Sequence, residues 1–384
     1  MKIFKLVIAG LNDREQEIDI DFNDDINIIT GRNGSGKTTI LKLIWYCISA
    51  NIERAIREIE FKKAVIETSV YTLTIEKSDS KNRKIVHVNV KSASGEDLLD
   101  KKEPIDKEVA IEEANQITVE LFNTSIFFPT FRRIEGGFSM DSRNRHGARR
   151  LIRGGEEYFI REEYGSNIQE ALEEHAGRLS VSEHKFVSSI STIDIQRLVT
   201  KKHASATTMV DNYSKLLSER IFAEITSYRR TNSSDKEALR DAVSTLDKID
   251  QSVKEFEQVR EDAFKSLTVL SDIIVDIFQH KGIRLNPRVT LGDIDQSINS
   301  DSLSAGEKQM LSFLCYNALY SRCPFFIDEP ELSLHVDWQR ILLDVMVEQK
   351  TNNQLFIATH SPFIYTQYED KEIIINSDRG NTLV

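Results

Sequence analysis

The spacing of apolar positions changes character several times along the chain, and each change predicts a different element. Three short β-type runs come first, at Ile3 to Ala9, Ile18 to Phe22 and Ile26 to Thr30, and the last enters a glycine-rich turn followed by helical spacing from Thr39 to Ser49. That order is strand, turn, helix. Between 64 and 92 apolar and polar residues alternate through Val70, Tyr71, Leu73 and Ile75 and again through Ile85, Val88 and Val90, which predicts an antiparallel sheet beside that core. Ile126 to Phe128 predicts a buried strand. From 165 to 281 the pattern is mostly helical: Leu239, Val243, Leu246, Ile249, Val253, Phe256, Val259, Leu267, Leu270, Ile274 and Ile277 keep three-or-four spacing. At about 1.5 Å per residue such a helix would reach roughly 60 Å, so the expectation is that it folds back on Tyr213 to Tyr228 as an antiparallel arm, turning near Thr231 to Ser234. Ile283 to Leu291 resumes the core. Phe325 to Ile327 and Leu355 to Ala358 are short apolar runs ended by polar residues, the pattern of strands in a parallel sheet.

Composition narrows the setting. With 384 residues, 40% of them apolar, the chain can build a sizeable core. Fifty Lys and Arg against 61 Asp and Glu give a net charge of -11, so any nucleic-acid contact must be local. The three cysteines, Cys47, Cys315 and Cys323, form neither a disulfide framework nor a CxxC pair, and a reducing cytoplasm is the expected compartment. No stretch approaches the roughly 20 apolar residues that cross a bilayer, and no membrane partner is expected. Lys2 and Lys5 flank an apolar run, but Asp13, Glu15 and Glu17 follow at once, which suits a strand better than a targeting signal.

The chemistry-bearing residues fall at the ends of these elements. Gly31 to Thr38 satisfies GxxxxGK[ST] between a strand and a helix. Read as a phosphate loop, Asn33, Gly34, Ser35, Gly36, Lys37, Thr38 and Thr39 would bind nucleotide: glycines turn backbone amides toward phosphates, Lys37 reaches the β and γ phosphates, and the Thr38 hydroxyl ligates Mg²⁺. The bland alternative is an ordinary glycine turn. Asp328 and Glu329 directly follow an apolar strand, where Asp328 would hold the Mg²⁺ shell and Glu329 would orient the attacking water; an acidic helix start has the same pattern. Ser304 to Gln309 precedes a helical run, Met310 to Leu319, and Ser304 with Glu307 also reads as a simple capping box. His360 ends the last apolar run within Ala358-Thr359-His360-Ser361-Pro362, where a histidine serves either structure or catalysis.

Leu303-Ser304-Ala305-Gly306-Glu307-Lys308-Gln309 resembles the signature motif of ABC-type ATPases, and Glu329-Pro330-Glu331-Leu332-Ser333-Leu334-His335 with Ala358 to Pro362 resembles the SMC-like and OLD-like branch more than transporter subunits. The resemblance covers 1 to 50 and 283 to 365. It implies an α/β head, a mixed sheet flanked by helices with an antiparallel β subdomain, split into 1–164 and 282–384 around a helical arm at 165–281. It implies ATP and Mg²⁺ as ligands and a homodimer or higher oligomer, in which Ser304, Ala305, Gly306 and Glu307 bind the γ-phosphate held by the other protomer. Glu331 to His335 would touch that protomer, His360 would contact the γ-phosphate, and His335 would be structural. Many relatives carry a glutamine in a loop before the helical part. Here Gln116 has the wrong setting, and Pro129 to Arg133 lies where that loop should be. Phe127 to Glu135 also resembles ATPases of bacterial antiphage operons such as PARIS and Septu. OLD-type nucleases carry a Toprim domain after the ATPase, whereas only 24 residues follow His360, and the eight histidines form no HNH pattern, so no cleavage by this chain is expected.

The one strongly basic stretch, Phe131 to Arg153, contains Arg132, Arg133, Arg143, Arg145, Arg149 and Arg150. A solvated loop, a contact for a protein partner and a DNA or RNA contact all fit it, although few stacking aromatics accompany it. The leading expectation is an ATPase subunit that dimerises through its ATP sites and controls a separately encoded nuclease or toxin in antiphage defence. An SMC-like repair or chromosome-maintenance ATPase that binds DNA directly is the alternative, and a transporter's ATP-binding subunit is a weaker one.

Overall fold

The computed structural model describes residues 1–13, 17–80, 83–130, 149–153, 156–160, 174–187, 192–230, 235–278 and 304–375. The chain divides into two compact units, one built from 1–190, 321–343 and 352–384, the other from 191–320 and 344–351.

The first unit holds two six-stranded sheets. Strands β1 (Ile3–Ala9), β2 (Ile18–Asp21), β4 (Lys63–Thr68), β5 (Tyr71–Ser80), β6 (Arg83–Ser92) and β7 (Asp97–Pro104) form an antiparallel sheet in the order β2-β1-β4-β5-β6-β7. Its alternation is the one the sequence predicts: Leu73 and Ile75 face inward opposite Val90 and Val88, while Thr72 and Thr74 face the other way. The second sheet consists of β3 (Ile26–Thr30), β8 (Thr124–Phe128), β11 (Glu183–Phe186), β12 (Pro324–Asp328), β13 (Gln354–Ala358) and β14 (Glu372–Ile374). Every pairing in its order β11-β8-β12-β13-β3-β14 is parallel. Strands β3, β12 and β13 are buried at every position, as continuous apolar runs covered on both faces should be.

Helix α1 (Lys37–Ile48) follows β3 and buries Ile40, Leu41, Leu43, Ile44, Trp45 and Ile48 in the core. Around Trp45 the rings of Phe127 and Phe186 lie 5.4 and 5.5 Å away, while Phe326 stacks on Phe356 with centroids 4.8 Å apart. Helices α2 (Ile52–Glu58) and α3 (Val109–Leu121) complete this side. A hairpin of β9 (Arg149–Arg153) and β10 (Glu156–Ile160) contains Arg149 and Arg150; Arg132, Arg133, Arg143 and Arg145 lie outside the described residues.

The second unit contains the arm. Helices α4 (Thr192–Arg230) and α5 (Asp235–Phe278) run antiparallel, with Tyr213 stacked on Phe256, His203 against Phe264, and Lys248 bridged to Glu224 at 3.2 Å. Helix α6 (Ala305–Leu319) packs in the same unit, and α7 (Val336–Glu348) returns from the first. The expected turn at Thr231 to Ser234 and the expected core segment Ile283 to Leu291 lie outside the described residues.

One expectation needs correction. The mostly helical segment from 165 onward includes β11, a strand beside β8. Four residues are too few to show a period against helical neighbours, and the strand is fixed by tertiary contacts instead: His184 is fully buried, and its Nδ1 lies 2.7 Å from Ser125 Oγ on β8.

Candidate functional site

Four adjacent strands, β8, β12, β13 and β3, end at the same edge of the parallel sheet, so the residues that follow them are neighbours in space while far apart in sequence. After β3 comes the loop 31–36. Gly31 sits at φ +151°, and a Cβ there would lie 2.5 Å from the Ile375 carbonyl oxygen, so no larger residue fits without displacing the backbone. Gly36 at φ +102° turns the chain into α1, whose first residue is Lys37. The free amides and positive dipole end of a 12-residue helix therefore point out of this loop.

Lys37 is buried, at 5% exposure, and its ammonium donates to the Gly31 and Arg32 carbonyls at 3.2 and 3.3 Å and to His360 Nε2 at 2.6 Å. Burial lowers its pKa, and the carboxylates of Glu329, Asp328 and Glu331 pull in the opposite direction. Asp328, at the end of β12, is held from two sides: Thr38 Oγ1 donates to Oδ1 at 2.9 Å, and Thr130 Oγ1, just beyond β8, donates to Oδ2. Burial raises the Asp328 pKa, with Glu329 adding to the rise, while the Thr130 and Thr38 hydroxyls and Lys42 act against it.

Glu329 adopts a left-handed backbone at φ 51°, ψ 56°, uncommon for a residue with a side chain, and its N–H donates to the Ala358 carbonyl at 2.8 Å. Its Oε1 is 3.9 Å from His360 Nε2. His360 donates its backbone N–H to Glu331 Oε1 at 2.6 Å. Lys37, Thr38, Asp328, Glu329 and His360 are thus brought together at one sheet edge, with Ser35 buried in the loop and Asn33 and Gly34 exposed on it. Thr39 is half-buried on α1. The hard oxygen donors Thr38 and Asp328 suit Mg²⁺, and the glycine loop ahead of a helix N-terminus suits a polyphosphate.

Ser304, Ala305, Gly306 and Glu307 start α6 in the second unit, and both hydrogen bonds of a capping box are made: Glu307 N donates to Ser304 Oγ at 3.3 Å and Ser304 N to Glu307 Oε2 at 2.7 Å. His335 is exposed beside Asp337 at 3.3 Å. Gln116 lies within α3 and bonds Glu120. Sequence reasoning missed Thr130 and the Glu331 carboxylate; the only signal for Thr130 was its position just after a predicted strand, in the segment where relatives carry a glutamine.

A family model described as an AAA ATPase domain matches residues 1–365. Endonuclease GajA of Bacillus cereus (strain VD045) is 26% identical over 179 residues, 41% of this chain and 30% of that protein. The chain thus aligns with under a third of that relative's length. Among solved structures, the Smc head domain with an extended coiled coil bound to the C-terminal domain of ScpA, from Pyrococcus furiosus, is 16% identical. The alignment covers 95% of this chain and 91% of that one at a TM-score of 0.37. An SmcHead bound to the C-winged helix domain of ScpA is 14% identical at the same coverage and TM-score.

Proposed function

Because the chain belongs to the AAA ATPase domain family, whose model spans residues 1–365, we propose that it binds ATP with Mg²⁺ and hydrolyses it at the carboxyl edge of its parallel sheet. The observation that carries this reading is the meeting of Lys37, Thr38, Asp328, Glu329 and His360 there, with Thr38 Oγ1 2.9 Å from Asp328 Oδ1 and Lys37 Nζ 2.6 Å from His360 Nε2.

In this reading the backbone amides of 33–39 take the phosphate oxygens, and Lys37 exchanges its bond to His360 for the β and γ phosphates. Thr38 and Asp328 would hold Mg²⁺, which when bound neutralises charge on the β and γ oxygens. Thr130 keeps the Asp328 carboxylate turned toward Thr38. Glu329 orients the attacking water and takes its proton as the oxygen bonds to the γ-phosphorus and the bond to the β–γ bridging oxygen breaks, leaving ADP and phosphate. His360, freed from Lys37, contacts the γ-phosphate, its Nε2 donating once it carries the ring proton. Ser304, Ala305, Gly306 and Glu307, at a helix N-terminus, would receive the γ-phosphate bound by a second copy, which makes the closed state a dimer.

We further infer that this cycle controls a separately encoded nuclease or toxin in bacterial antiphage defence. The partial similarity to an endonuclease supports a link to nucleic-acid cleavage. The arm offers a partner surface: Phe222 and Leu246 are 72% and 64% exposed on it. Control of this kind needs a partner whose affinity differs between open and closed states. The test is mass spectrometry of what co-purifies with tagged wild-type and Glu329→Gln protein expressed from the native operon, with and without ATP. A stoichiometric nuclease or toxin whose retention changes with nucleotide supports the reading. Recovery of DNA alone, in an ATP-dependent and salt-sensitive complex, replaces it with a directly DNA-binding, SMC-like ATPase.

A further inference from the structure

The segment Pro330 to Leu334 and the turn that carries His360 are joined by side chains that the hydrolysis scheme does not use. Glu331 Oε1 accepts from the His360 backbone N–H at 2.6 Å. Its other oxygen, Oε2, is buried without a hydrogen-bond partner among the described residues. Gln339, 7% exposed on α7, spans the same two segments: its Nε2 donates to the Leu334 and Glu331 carbonyls at 2.8 and 3.3 Å, and its Oε1 accepts from Ser361 Oγ at 2.6 Å. Ser361 N donates in turn to Thr359 Oγ1 at 3.0 Å. His360 is therefore gripped at its own amide and at the residue after it, both times by groups anchored to 331–339. Pro330 starts the grip with a fixed φ, directly after the left-handed Glu329.

We propose that Glu331 and Gln339 are positioning residues for His360, making the 330–334 segment and the His360 turn one mechanical unit. The proposal rests on the ATPase reading above and adds a route by which that segment, with Leu332 53% exposed, sets where the His360 ring points. A contact that shifts the backbone around Leu332 also shifts the His360 amide, because a 2.6 Å charge-assisted hydrogen bond joins the adjacent Glu331 carboxylate to that amide. A carbonyl oxygen can replace the carboxylate in this task, because only an acceptor for the His360 N–H is needed.

A double-mutant cycle tests it. Glu331→Ala is expected to lower kcat roughly tenfold with the KM for ATP changed less than about threefold, while Glu331→Gln, which keeps the acceptor, stays within about threefold of wild type. In a His360→Ala background Glu331→Ala should add no further loss. Ser361→Ala, a smaller change at the Gln339 end, should show the same pattern in weaker form. Hydrogen exchange at the His360 amide supplies a readout independent of turnover: protected in wild type, faster in Glu331→Ala, restored in Glu331→Gln. An undiminished effect in the His360→Ala background, Glu331→Gln as impaired as Glu331→Ala, or unchanged exchange at His360 would each overturn the proposal. If wild-type protein neither binds nor hydrolyses ATP, the ATPase reading has failed instead, and the exchange measurement still decides the clamp.

Discussion

At the scale of single residues, the site depends on groups that burial makes expensive to leave unpaired. Lys37 is buried among carbonyls, His360 and three carboxylates, so its ammonium is largely desolvated. Lys37→Ala removes charge-assisted hydrogen bonds of about 1.5–3 kcal/mol in total, so ATP affinity should fall roughly 10- to 100-fold in a calorimetric titration. Thr130 acts on the other side of Asp328. Thr130→Val should raise the Mg²⁺ concentration needed for half-maximal turnover several-fold, Thr130→Ser should restore it, and nucleotide binding without Mg²⁺ should not change; an Mg²⁺ titration of hydrolysis checks all three. Lys37, Thr38, Asp328, Glu329 and His360 were legible in the sequence because each belongs to a short local pattern. Thr130 and Glu331 were not, because their significance arises from hydrogen bonds to Asp328 and His360, reached only across the sheet. The left-handed backbone of Glu329 was equally invisible, since nothing in an apolar run ending in Asp-Glu shows which residue takes the strain.

At the scale of elements, periodicity was a good guide where a segment was long or regularly alternating and a poor one where tertiary contacts decide. Strands β1 and β3, the antiparallel β5–β6 pair and the arm helices follow their apolar spacing closely. Strand β7 was passed over because, as an edge strand, it is mostly charged and exposed. Strand β11 was hidden for the reason its His184 makes plain. Nε2 donates to the Phe122 carbonyl at 3.3 Å, and in the neutral ring that burial favours Nδ1 accepts from the Ser125 hydroxyl. Burial brings its pKa down from 6.5 to about 4; the bond to Phe122 opposes this and Lys185 adds to it. The unfolded chain therefore binds a proton that the folded chain refuses between these values. The stabilisation is complete above about pH 6.5 and is lost as pH falls toward 4, by up to roughly 3 kcal/mol. Urea unfolding at pH 7 and pH 4.5 should show wild type losing clearly more stability than His184→Asn, and equal losses would mean that His184 is not a buried neutral ring.

At the scale of the whole molecule, the chain separates two tasks between two units. One carries the loop, acids and histidine at a sheet edge; the other carries the arm and the capped start of α6. Among the described residues no helix is long and apolar enough to cross a membrane. The family and the sheet edge were legible from motifs at the ends of strands, whereas the identity of a partner is not written in any local pattern. If Ser304 to Glu307 serve a second copy, ATP should convert Glu329→Gln protein to a dimer in light scattering while Ser304→Arg protein stays monomeric. The central claim is that ATP is hydrolysed here with Glu329 acting on the attacking water, and phosphate release at saturating ATP and Mg²⁺ tests it most directly. The account predicts turnover by wild type and a fall of roughly 10²- to 10⁴-fold in Glu329→Gln with ATP still bound. Wild-type turnover by Glu329→Gln would contradict it.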